Sequence, residues 1–186
     1  MTKRKGKVLR AELPAPFAGT ARLYWAYGSN LNVEQMLRRC PGAKPLAKLM
    51  LDDACLLFRG FADVAYKRDA VCPGGLWQIT PADEVALDRY EGVSGGLYVK
   101  RYLTISLKKG PAEPCLYYQV ARRTGVMPPS EYYLDTIAEG YDDFRLDKAY
   151  LDAALEHSWN NKNKTPFLKQ RWRAKGRPRL AREMAA

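Results

Sequence analysis

The chain has 186 residues, enough for one domain with a sizeable core, and its aliphatic and aromatic content is ordinary for a globular protein. Its formal net charge of +11 is unevenly spread: residues 1–12 carry +4 (five Lys or Arg against one Glu), residues 160–186 carry +8 (nine against one), and residues 13–159 are left with −1. No run approaches the roughly 20 apolar residues of a membrane-spanning helix, and the basic N-terminus MTKRKGKVLR lacks the apolar stretch of a signal peptide.

The four cysteines, Cys40, Cys55, Cys72 and Cys115, contain no CxxC pair, and His157 is the single histidine. That spacing argues against a metal site and for reduced, buried thiols in a cytoplasmic protein. The basic ends are of the kind that attract polyanions, nucleic acid or an acidic partner, or that simply keep a chain soluble.

Residues 1–20, with Pro14, Pro16 and Gly19, read as a flexible leader. A strand follows at 21–27, stops at Gly28, Ser29 and Asn30, and gives way to a short helix over 32–39 with Val33, Met36 and Leu37 at helical spacing and Asn30 or Asn32 as its cap. The segment CPGAKP ends it. Residues 47–60 and 62–69 then suggest two strands, although periodicity alone also allows a helix for the first, and 74–80 a short strand behind a glycine pair. Thr80 as N-cap, Pro81 in the first turn and Asp83 and Glu84 after it mark a helix running to about Glu91, with Gly92 fitting the left-handed position beyond its end.

Two long strands are expected at 94–107 and 114–123, rich in Tyr, Val, Leu and Ile. Ser130 caps a helix ending near Gly140, and a last helix covers 147–158. The apolar periodicity dissolves after Asn160. The domain boundaries expected are a basic leader at 1–20, one domain at 21–158 and a basic, mobile tail at 159–186. The fold class is α+β, with helices set around a curved sheet.

Common catalytic constellations are missing: the chain has no GxSxG, no Walker loop and no GxGxxG. Ser29 has no evident base and reads as a turn residue. Among the carboxylates, Glu91 stands apart. It ends a helix, where the macrodipole disfavours a further negative charge, and lies one turn after Leu87 on the flank of the stripe of Ala86, Leu87 and Tyr90. The flexible GVSGG follows, leaving room for a ligand. Burial and the helix end would both raise its pKa toward neutrality, the condition for a group that takes and returns a proton near pH 7. The same position also suits a solvated helix-end side chain.

Two segments together resemble the gamma-glutamylcyclotransferase family: the strand and loop LYWAYGSNLN, with Tyr27, Gly28, Ser29, Asn30 and Leu31, and LDRYEGVSGGLYVKRYLTI about 60 residues later, with Glu91, Gly92, Val93, Gly96 and Tyr98. A strand with Tyr118 and the segment PPSEYY with Tyr133 follow in matching order, so the resemblance spans about residues 22–157. The stretch between Cys55 and Leu76 is shorter than in the vertebrate glutathione-pathway enzymes of the family, which bears on the pocket rim.

The resemblance implies a small mixed β-barrel with surrounding helices. It implies an enzyme of lyase or acyltransferase type that needs no cofactor and converts a small-molecule γ-glutamyl substrate into 5-oxoproline. The substrate's α-amine attacks its own γ-carbonyl and expels an amine or amino acid. Glu91 would be the proton shuttle, the 27–31 loop would offer N–H groups to the glutamyl end, and Tyr98, Tyr118 and Tyr133 would wall the pocket and donate hydrogen bonds. Glutathione, γ-glutamyl amino acids, γ-glutamyl amines and a γ-glutamyl-protected intermediate all share the half of the substrate these residues read. The alternative is a non-catalytic binding or adaptor module of the same fold, whose basic tails, with Phe167 and Trp172 interleaved, engage nucleic acid.

Overall fold

The structure, a computed structural model, describes residues 9–11, 21–107, 112–122 and 125–162. The strands are β1 (Leu9–Ala11), β2 (Arg22–Ala26), β3 (Lys44–Phe58), β4 (Ala62–Ile79), β5 (Tyr98–Leu107) and β6 (Ala112–Val120). The helices are α1 (Val33–Arg39), α2 (Pro81–Tyr90), α3 (Glu131–Asp143) and α4 (Ala149–Asn161), with a single 3₁₀ turn, Ser29–Leu31, between β2 and α1. The six strands form one mixed sheet in the order β1-β5-β6-β2-β4-β3.

This is the expected α+β class, but the sheet is not a closed barrel. Its edge strands β1 and β3 approach one another without sharing a ladder, so the sheet remains open. The leader also differs from expectation at one place: Leu9–Ala11 pair parallel with Ile105, Ser106 and Leu107 of β5. The rest of residues 1–20, and the basic tail from 163 onward with Phe167 and Trp172, lie outside the described residues.

The ambiguous segment at 47–60 is strand. Nearly its whole length finds an antiparallel partner in β4, which joins what the sequence suggests as two separate strands at 62–69 and 74–80. The register shifts between Asp52 and Ala54, where Asp53 takes a positive φ of 55°. The glycine pair inside β4 is a matter of space rather than a chain break. A Cβ on Gly74 would meet Trp25 at 2.2 Å, and one on Gly75 would meet the Phe144 ring at 2.6 Å. Two large aromatic side chains therefore press against adjacent glycines of one strand.

The helices are capped largely as the sequence indicates. Asn32, not Asn30, caps α1 by accepting from Gln35 N at 2.9 Å. Thr80 and Asp83 form a reciprocal capping box on α2, and Ser130 caps α3. The helix α3 runs to Asp143, past Gly140, because Gly140 is a contact point rather than a terminator: its Cα faces Leu31, where a Cβ would fall 2.4 Å away. The core gathers Trp25, Trp77, Phe58, Leu76, Ile79, Ile105, Ile137 and Leu155, all completely buried. No helix among the described residues is long and apolar enough to cross a membrane.

Candidate active site

A pocket of about 280 Å³ opens where the end of β2, the 3₁₀ turn, the C-terminus of α2 and the tyrosines of β5, β6 and α3 converge. Its inner lining is almost wholly buried: Tyr24, Tyr27, Ser29, Asn30, Ala62, Tyr98 and Tyr118 are each no more than 7% exposed. Phe61, Tyr90 and Leu97 form an exposed, apolar rim. Phe61 and Ala62 come from the stretch between Cys55 and Leu76.

Glu91 is the one charged side chain lining this pocket. It forms the C-cap of α2, its N–H bonded to Leu87 O at 2.8 Å, and Gly92 then turns the chain with a φ of 62°. Its carboxylate oxygen Oε1 accepts from Asn30 Nδ2 at 2.7 Å. Burial pushes its pKa up to about 7, against the Asn30 hydrogen bond and the Arg39 charge, which both favour the anion. A carboxyl group with such a pKa is half ionised at neutral pH and can both accept and return a proton.

The loop residues fall into different roles. The bonds of the 3₁₀ turn run from Leu31 N to Gly28 O and from Asn32 N to Ser29 O, so the N–H groups of Ser29 and Asn30 have no partner within the turn. Gly28 has an ordinary negative φ of −117°, so its glycine serves close packing. A Cβ there would lie 3.0 Å from Ala62 Cβ and 3.2 Å from Tyr133 Oη. Ser29 Oγ lies 3.4 Å from Tyr90 Oη and also hydrogen-bonds with the Tyr133 hydroxyl. Leu31 is corrected: it is completely buried beneath α3 and does not line the pocket, so its place is in the core.

The tyrosines require a second correction. Tyr98, Tyr118 and Tyr133 do wall the pocket, but the hydroxyl of Tyr98 donates to Ala62 O at 2.7 Å and that of Tyr118 to Asp88 Oδ1 at 2.7 Å. Tyr27 likewise donates to Tyr118 O at 2.6 Å. A phenol has one proton, so these three turn lone pairs rather than donors to a ligand. Tyr133 Oη accepts from Ala62 N at 3.3 Å and also hydrogen-bonds with the Ser29 side chain. Burial raises all four phenols above the ordinary tyrosine range, and they are protonated at neutral pH.

Asp88 is held in turn by Lys100, whose Nζ bridges it at 2.7 Å and Glu84 at 2.6 Å. Sequence reasoning misses Tyr24, Arg39, Asp88 and Tyr90. Only the helical spacing of Asp88 and Tyr90 ahead of Glu91 signals any of them. Among the described residues no three His, Cys, Asp or Glu side chains are grouped so as to hold a metal, and Cys40, Cys55, Cys72 and Cys115 are free thiols.

Residues 73–153, which include Glu91, Tyr98, Tyr118 and Tyr133, match the AIG2-like family. The gamma-glutamylcyclotransferase of Bos taurus is 31% identical over 144 residues, covering 71% of this chain and 76% of that protein. That of Mus musculus is 30% identical over 145 residues, with the same coverage. A solved structure described as a gamma-glutamyl cyclotransferase superimposes with a TM-score of 0.61 at 23% identity, over 89% of this chain and 98% of its own, a likeness of fold. With that extent of shared sequence, the chain belongs to the gamma-glutamylcyclotransferase family.

Proposed function

We propose that the chain is itself a γ-glutamyl cyclotransferase, releasing 5-oxoproline and an amine or amino acid from a small γ-glutamyl compound. The observation that carries this reading is Glu91, a carboxyl group of pKa about 7 inside a tyrosine-walled pocket. The α-amine of the substrate attacks its own γ-carbonyl carbon. Holding those two ends of one molecule together supplies up to roughly 7–11 kcal/mol of the barrier in favourable cases. Glu91 takes the proton that the attacking nitrogen loses and delivers it to the departing nitrogen, so one group serves both steps without net proton transfer. The N–H groups of Ser29 and Asn30 receive the negative end of the glutamyl half. The lone pairs of Tyr27, Tyr98 and Tyr118 suit an ammonium or amine.

The test is a panel of γ-glutamyl compounds assayed for 5-oxoproline by mass spectrometry, with the wild type and Glu91→Gln side by side. The Gln variant keeps the shape and removes the proton carrier, so turnover is expected to fall by about 10² to 10⁴ while a γ-glutamyl ligand still binds. Unchanged turnover in the variant would reduce Glu91 to a buried helix cap. An inert wild type across the panel would remove the enzyme reading altogether.

A further inference from the structure

Asn30 sits at the junction of three side chains from outside its turn. Arg39 Nη1 donates to Asn30 Oδ1 at 2.6 Å, while Asn30 Nδ2 donates to Tyr24 Oη at 2.8 Å and to Glu91 Oε1 at 2.7 Å. The guanidinium can only donate, so it fixes which end of the amide is oxygen. The two amide protons are thereby assigned, one to the carboxylate and one to the phenol. Arg39 is itself held by Gln35 Oε1 at 2.7 Å and by the Tyr90 ring, 3.7 Å below its central carbon.

The consequence falls on Tyr24. Its oxygen is an acceptor toward Asn30, so its own proton is turned away from Asn30, and among the described residues no hydrogen bond from it to the protein is found. Tyr24 lines the pocket and is 3% exposed. Its neighbours Tyr27, Tyr98 and Tyr118 have spent their protons on protein acceptors. Tyr24 and Glu91 share one NH₂ group, which places a phenolic donor beside the proton-shuttling carboxyl.

Resting on the cyclotransferase reading, we propose that Tyr24 is a further catalytic residue, the hydrogen-bond donor to the oxyanion formed on the γ-carbonyl oxygen, and that Arg39 acts through Asn30 as the positioning residue that fixes this polarity. As the α-amine nitrogen bonds to the γ-carbon, the π pair of the carbonyl moves onto oxygen, which accepts from Tyr24 O–H. Glu91 takes the proton from the attacking nitrogen. When the oxygen pair returns to re-form the carbonyl, the bond to the leaving nitrogen breaks and that nitrogen takes the proton from Glu91. Tyr24 keeps its proton throughout. Its high pKa, raised by burial first and the Glu91 charge second, suits a donor that must not ionise.

Tyr24→Phe removes the hydroxyl alone. In the full chain it is expected to lower kcat by about 10² with little change in KM, the cost of one oxyanion donor. A phosphonate analogue of glutamate, with tetrahedral phosphorus in place of the side-chain carboxyl carbon, supplies a measurement independent of turnover. Calorimetry should show its affinity falling by about tenfold or more in Tyr24→Phe, while glutamine, whose neutral γ-amide mimics the ground state, weakens by clearly less.

Arg39→Met should lower kcat at constant KM, and Arg39→Lys should recover part of it, since an ammonium still donates to Asn30 Oδ1. A kcat for Tyr24→Phe within about threefold of wild type, or equal weakening of both ligands, overturns the role of Tyr24, and the cyclotransferase reading stands if Glu91→Gln still shows its about 10²-fold or greater loss of turnover. A wild type inert on every γ-glutamyl compound overturns both.

Discussion

On the proposed mechanism Glu91 carries opposite consequences for activity and for stability, and both are measurable. Its pKa rises from 4.5 to about 7 on folding, so the folded state binds a proton more readily than the unfolded state across that interval. The stability it contributes is fully present below about pH 4.5 and is lost as pH rises through about 7. Glu91→Gln, which stays neutral, should therefore match the wild type near pH 4 and exceed it above pH 7, by on the order of 3 kcal/mol at most. Urea denaturation at the two pH values checks this, and an equal gap at both would contradict the assigned shift. Activity runs the other way: kcat/KM of the wild type should climb as pH rises through about 7 and the carboxylate forms. In the loop, Ser29→Ala should cost little, while Gly28→Val should block turnover, because even one methyl at that Cα reaches 3.0 Å from Ala62 and 3.2 Å from Tyr133 Oη. A covalent adduct on Ser29 would reverse that ranking. The position of Glu91, at a helix end and lining a pocket, was legible in the sequence because a helix end and a flanking apolar stripe are local signals. Leu31 was not, since a contiguous loop motif does not say which side chain turns inward. The Arg39–Asn30–Tyr24 relay was invisible because it is made of side-chain directions, and Glu91 joins it across 61 residues.

The helix α2 carries a capping box at one end and the proposed proton carrier at the other. At the N-terminus Thr80 Oγ1 accepts from Asp83 N, and Asp83 Oδ2 accepts from Thr80 N at 2.9 Å. Thr80→Ala removes half of this box and should cost about 1 kcal/mol with kcat unchanged. At the C-terminus Gly92 holds a φ of 62° directly after Glu91, the proposed proton carrier, and a Cβ on it would press on Leu97 at 3.3 Å. Gly92→Ala should also cost about 1–2 kcal/mol, but here kcat should fall, because Glu91 is the residue whose backbone must move. If thermal shifts are comparable and only the C-terminal variant loses turnover, that division holds; equal losses of kcat would refute it. This helix was readable because every cap signal lies within four residues of the group it serves. The strands were less so. The length of β4 depends on β3 pairing with it, and Gly74 and Gly75 look like a break until Trp25 and Phe144 are seen to occupy the space. Closure of a sheet is likewise a property of its two edges, which no local pattern encodes.

The site as a whole depends on α3, an element distant in sequence that clamps the loop from outside. Asn32 Nδ2 donates to Glu139 Oε2 at 2.7 Å, and Val33 N donates to Asp143 Oδ2 at 2.8 Å. Between these contacts Gly140 lets α3 touch the backbone of the turn: a Cβ there would meet Leu31 Cβ at 2.4 Å, Asn32 N at 2.5 Å and Leu31 C at 2.6 Å. Two of those three atoms are main chain and cannot rotate aside. Gly140→Ala must therefore push α3 and the turn apart, moving Asn30 relative to Glu91 and loosening the Tyr133 wall at the same time. The overpacking should cost about 1–3 kcal/mol or more, and turnover should fall beyond what the lost stability explains at a temperature where the variant remains folded. Gly95→Ala is the control, since its Cβ would have nothing nearer than 3.5 Å; it should shift stability by no more than about 0.5 kcal/mol. A Gly140→Ala protein with wild-type denaturation and wild-type kcat would mean that the turn holds its shape without α3, and that Asn30 is positioned by Arg39 and β2 alone.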